Sequence, residues 1–169
     1  YSFTSFDTQE SVVYDSREDI CIDGKLDLIK CGFLSFGQEI LPMEIEVHSE
    51  VPIGSGLGGS SAVVVAVISA IAKLIGEEIN AQRASEMAFY AERLLMSEAG
   101  GWQDQYASAF GGLNLMEFSK SENSIIPVRL DKQKLAELED WCFLLNTNIA
   151  HQSSQIHKKI QKSEEYNEL

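Results

Sequence analysis

The sequence predicts a two-layer α/β domain of the α+β kind, and three observations predict it. A strand-like segment at 43–48 runs into a glycine-rich turn. The apolar run that follows, 62–75, is broken only by Ser69 and Lys73; apolar all round, it reads as a helix buried against a sheet. Two further strand-like segments, 113–118 and 125–130, flank a polar turn at 119–124 and suit a hairpin.

In chain order, a strand is expected near 12–15 and an amphipathic helix at about 26–36. Strand 43–48 leads into the glycine loop, and the buried helix begins where the glycines stop. That helix has about four turns, too few to cross a bilayer, which takes about 20 apolar residues. Ala84, Met87, Ala88, Ala91, Leu94 and Leu95 recur at helical spacing and give helix 81–95 one apolar face. A short helix at 105–110 precedes the hairpin. Asp131 then caps a charged helix to about 139. Residues 141–146 read as a buried strand, and from His151 the chain reads as a polar helix with an acidic end. There is no internal repeat, low-complexity tract or linker.

At 169 residues the chain is long enough for a core of its own. Thirteen basic against 26 acidic residues leave a net charge of −13. Such a surface repels nucleic acid and anionic membrane, and no basic stripe offsets it. Cys21, Cys31 and Cys142 are scattered and without metal spacing, which fits reduced thiols in the cytoplasm. His48, His151 and His157 form no ligand set, so no zinc is expected.

The segment Pro52-Ile-Gly54-Ser55-Gly56-Leu57-Gly58-Gly59-Ser60-Ser61-Ala62 carries the chemistry. Glycines can bend through positive φ and turn backbone N–H groups toward one point. The following helix adds unpaired N–H groups and a partial positive charge. Together they suit an anion, and the common one is a nucleotide phosphate. The plain alternative is a turn joining strand to helix, though four glycines exceed what a turn needs. Gly54-x-Gly56-x-x-Gly59 also spells the dinucleotide fingerprint of an NAD(P)-binding oxidoreductase. That reading needs a second strand ending in an acid about 20 residues on. Glu77 and Glu78 arrive there, but no strand leads to them. The P-loop spacing Gly54-x-x-x-x-Gly59 fails differently, because Ser60 stands where lysine is required.

The loop resembles the second motif of the GHMP kinases, P-x-G-x-G-L-G-S-S-A, with Gly59 where a first serine is common. Downstream, Gly101-Trp102-Gln-Asp104-Gln-Tyr-Ala-Ser-Ala-Phe-Gly-Gly112 is similar to the family's G-x-x-D-Q-x-x-x-x-x-G segment. Glu92, in an A-E context 12 residues before Asp104, resembles the family's metal-ligand glutamate. Taken singly, Asp104 could be a helix N-cap and Glu92 part of a solvated helix face. The resemblance implies instead that Pro52 and residues 54–61 wrap ATP. It further implies that Glu92 and Ser60, with Ser61 as the near alternative, hold Mg²⁺. Asp104 is then the catalytic base, touching an acceptor together with Gly101 and Trp102.

The wording of 100–118 is most similar to the D-glycero-D-manno-heptose 7-phosphate kinases and related sugar kinases. This implies phosphoryl transfer to a sugar or sugar-phosphate hydroxyl, the anomeric O1 of a heptose 7-phosphate being the first expectation. A catalytically inactive, sugar-sensing module on the same fold is the other expectation. Residues 144–156 follow the family's T-G-x-x-R-x-A-x-x-I in outline, departing at Asn148 and His151. The implied architecture is that of ribosomal protein S5 domain 2, with a left-handed crossover against the usual preference. Residues 1–130 would be the nucleotide-binding domain and 131–169 the start of a second. The family's R-x-D-x-x-G-G segment and its glycine-rich third motif are not in the sequence, so an interior piece, weak or inactive alone, is expected.

Overall fold

In the computed structural model, which describes residues 1–119, 122–145 and 147, the chain opens on a strand that periodicity does not announce. β1 (Ser2–Ser5) buries Phe3 and Ser5 and turns Ser2 and Thr4 outward, the two-residue alternation of a half-covered strand. β2 (Glu10–Val13) lies antiparallel to it, Phe3 opposite Val12. β3 (Glu44–Val47) lies parallel on the other edge, Phe3 opposite Ile45, giving the order β2-β1-β3. The strand expected at 12–15 therefore sits earlier, at Glu10–Val13.

Between β2 and β3, α1 (Asp27–Leu34) packs on α2 (Gly59–Ile75). The two approach closely at Gly32, where a Cβ would lie 3.0 Å from Val67 Cγ1. Phe3, Phe33, Val64, Ile68 and Ala88 are fully buried and form the centre of the core. Lys30, in α1, is buried too, its ammonium bonded to the Cys21 carbonyl (2.7 Å) and to Asp23 and Asp27 (2.6 and 2.7 Å). These contacts tie the 21–27 turn to the helix.

α2 ends at Gly76, whose φ of 74° lets the Glu77 N–H reach the Ala72 carbonyl (2.8 Å). Glu77 and Glu78 then form a connector straight into α3 (Ala81–Phe89), capped by the Asn80 side chain. No strand stands where the NAD(P) reading needs one, so that reading is wrong. α3 continues into a wide π-type turn, Tyr90–Leu95. α4 (Gln103–Phe110) follows, two residues longer at its start than expected, and then the hairpin β4 (Asn114–Phe118) and β5 (Asn123–Pro127).

α5 (Lys132–Asp140) is capped by Asp131, which accepts from the Lys134 N–H at 2.8 Å. The buried strand expected at 141–146 is not found among the described residues. Cys142–Leu145 adopt no strand, and Trp141 and Phe143 are 86% and 88% exposed. An apolar run becomes a strand only where a partner supplies the ladder and cover; none of the described strands lies beside this one. Asn148, His151, His157 and the helix expected from 151 onward lie outside the described residues. No helix of the described residues is long and apolar enough to cross a membrane, and no group of three or more His, Cys, Asp or Glu among them could hold a metal by itself.

Candidate active site

The glycine loop explains its own composition. Gly54, Gly56 and Gly58 take φ of 74°, 76° and 70°, a left-handed conformation at every second residue that other side chains resist. Gly59 is different: it is the first residue of α2, so the helix starts three residues earlier than the apolar run. The Ser55 N–H folds back to the Pro52 carbonyl (3.2 Å) and the Leu57 N–H to the Ser55 hydroxyl (3.4 Å). No side chain caps the first turn of α2 and no acidic residue sits in it. Its N–H groups and dipole are therefore left for an anion.

Where α2 starts also decides which hydroxyl points inward. Ser60 is exposed, whereas Ser61 is buried and donates to both oxygens of Glu92, at 3.0 and 2.9 Å. Of the two serines considered for the metal, the structure brings Ser61, not Ser60, to Glu92. Glu92 is no solvated helix face: it lies in the π-type turn, only 2% exposed. Such turns recur at functional positions because the extra residue redirects a side chain. Gln105 Nε2 donates to Glu92 Oε2, and the Arg93 guanidinium stands 3.7 Å from the same oxygen. Burial pushes the Glu92 carboxyl above its usual range, the negative charge of Asp104 adding to the effect; Gln105, Ser61 and Arg93 oppose it. A buried carboxylate beside a hydroxyl, still under-compensated by its own neighbours, is a hard oxygen set that suits Mg²⁺ completed by phosphate and water.

Asp104 stands in the first turn of α4, whose N-cap is Trp102, so it caps nothing. It faces the loop: a Cβ on Gly58 would lie 3.7 Å from Asp104 Cβ and Cγ and 3.8 Å from Oδ1. Loop, Glu92 and Asp104 thus converge at the N-terminal end of α2. Trp102 stacks on Phe89, centroids 3.4 Å apart and planes 4° from parallel, and meets Tyr106 edge-on at 5.9 Å. The Gly101 carbonyl accepts from Arg93 Nε and Nη2 (3.4 and 3.3 Å). Gln105 and Arg93 were not singled out from the sequence. The available signals were the glutamine following Asp104 and the glycine pair at 100–101. A Cβ on Gly100 would come within 2.6 Å of Arg93 Nη2, so Gly100 leaves the guanidinium its place, whereas a Cβ on Gly101 would meet nothing within 4 Å.

Residues 27–112 match the model of the GHMP kinases N-terminal domain. Along 170 aligned residues the chain is 38% identical to D-glycero-alpha-D-manno-heptose 7-phosphate kinase of Campylobacter jejuni, covering 96% of this chain and 50% of that protein. A crystal structure of a D-glycero-D-manno-heptose 1-phosphate kinase from Bacteroides thetaiotaomicron superposes with a TM-score of 0.73 at 31% identity. That match covers 82% of this chain and 47% of the other. A putative sugar kinase from Campylobacter jejuni superposes at 0.72 and 38% identity, over 82% and 46%. The chain spans about half the length of these relatives. Its α+β fold is theirs, and the chain belongs to the GHMP kinase family.

Proposed function

We propose that the protein is an ATP-dependent sugar kinase, transferring the γ-phosphoryl group to a hydroxyl of a sugar or sugar phosphate. The anomeric O1 of a heptose 7-phosphate is the acceptor put forward first, by similarity to the Campylobacter relative. The observation that carries this reading is the approach of Asp104 to Gly58, beside a buried Ser61–Glu92 pair.

Phosphoryl transfer asks a protein chiefly to position reactants and to stabilise charge. Loop 54–59 and the N–H groups of the first turn of α2 would hold the phosphates. Mg²⁺, when bound, neutralises charge on them, and Ser61 and Glu92 would hold it. As the acceptor oxygen bonds to the γ-phosphorus, the bond from that phosphorus to the bridging oxygen of ADP breaks. Asp104 orients the acceptor hydroxyl and takes its proton. The Arg93 bond to the Gly101 carbonyl would keep the acceptor side of the site in shape. Trp102 offers that side a half-buried ring already fixed by Phe89. Free thiols at Cys21, Cys31 and Cys142 fit work in a reducing cytoplasm. ADP release by the full-length enzyme, measured across a panel of sugars and sugar phosphates, tests the reading. Stimulation by a heptose phosphate is expected, and a rate that no sugar raises would overturn it.

A further inference from the structure

Gln105 is fully buried, one residue after Asp104 in the first turn of α4. Its Nε2 donates to Glu92 Oε2, while its Oε1 is buried without a hydrogen-bond partner. A buried amide with one end unpaired costs stability that an apolar side chain of the same size would not. Packing therefore does not explain it, and the purpose must lie with the donor end.

That donor acts unevenly on the carboxylate. Ser61 shares its hydroxyl between both Glu92 oxygens. Gln105 bonds Oε2 alone, the oxygen that Arg93 also approaches at 3.7 Å. Oε2 is thus engaged from three sides, and Oε1 keeps lone pairs with only part of one hydroxyl on them. Because a carboxylate can rotate about its last bond, a donor held on one side fixes its plane and keeps the oxygen position on the other side free.

Resting on the kinase reading above, we propose that Gln105 is a positioning residue: its amide sets the rotation of the Glu92 carboxylate and leaves Oε1 for the metal. Being next to Asp104 in the chain, it also ties the spacing between that aspartate and the metal ligand to one turn of α4. Groups that orient metal ligands typically contribute 10- to 100-fold in metal affinity.

The test is Mn²⁺ binding in the presence of ADP, followed by electron paramagnetic resonance, in the protein and in Gln105→Met and Gln105→Asn. Methionine keeps the length without the donor; asparagine keeps the amide but withdraws it. Both should weaken Mn²⁺ binding about tenfold or more. A purely structural glutamine would leave Mn²⁺ affinity within about twofold of the parent in the folded variants, whatever their stability, and that result overturns the proposal. Should the methionine variant not fold, parent-like Mn²⁺ affinity in Gln105→Asn would overturn it equally. A parent that binds no Mn²⁺ with ADP would bring down the kinase reading along with it, which separates the two failures.

Discussion

At the residue scale, Glu92 sets the balance between stability and use. Burial raises its folded pKa, so the folded protein holds the proton more tightly than the unfolded chain does. Its stability contribution is present below the unfolded pKa and is lost as pH rises through the folded one; at neutral pH the buried charge is a net cost. Glu92→Gln should therefore make the metal-free protein more resistant to urea at neutral pH. That gain should close as pH falls below the ordinary carboxylate range, while Mn²⁺ binding is lost. Ser61→Ala removes a donor from the same buried carboxylate and should lower stability by about 2 kcal/mol in urea unfolding. The exposed Ser60→Ala should stay within about 0.5 kcal/mol of the parent. The sequence shows that two hydroxyls follow the glycines but not which one turns inward. Neighbours on a helix point about 100° apart, so the choice depends on the residue where the helix starts, and Gly59 starts it.

At the element scale, the helices were legible wherever periodicity or a cap marked them. The Asp131 cap of α5 stands as read, and Ala84, Met87, Ala88 and Ala91 are buried as the apolar face of helix 81–95 requires, but Leu94 is 64% exposed. The apolar run at 62–75 is helical as read, yet α2 starts at Gly59, packs on α1, α3 and α4 and leaves Ala62, Ala66 and Leu74 exposed. The π-type turn at 90–95 was not legible, because the apolar letters run on through it; the extra residue turns the face by about 100°, and Leu94, counted on that face, is 64% exposed. β1 escaped notice because its four residues, Ser-Phe-Thr-Ser, carry one apolar side chain. The close approach of α1 and α2 at Gly32 is likewise a tertiary fact, and it predicts a specific weakness. Gly32→Ala would set a methyl 3.0 Å from Cγ1 of the buried Val67, a β-branched side chain held to one rotamer in a helix. It should cost about 1–3 kcal/mol in thermal or denaturant unfolding.

At the scale of the whole molecule, a chain of net charge −13 would have to concentrate its attraction locally to bind the polyphosphate proposed for it. The three left-handed glycines, the uncapped first turn of α2 and the oxygen pair behind it meet that requirement within one loop. The candidate site was legible because motif wording names Asp104, Glu92 and the loop together. The sheet was not, since the parallel pairing of Ser2 with Glu44 joins segments whose spacing no local period records. In the proposed mechanism Asp104 receives the acceptor proton opposite a loop that grips the triphosphate. Asp104→Asn in the full-length enzyme is the decisive variant, with turnover and Mg·ATP binding measured on the same preparation. Turnover should fall by about 10²- to 10⁴-fold while Mg·ATP binds as in the parent. Parent-like turnover in that variant would contradict the claim.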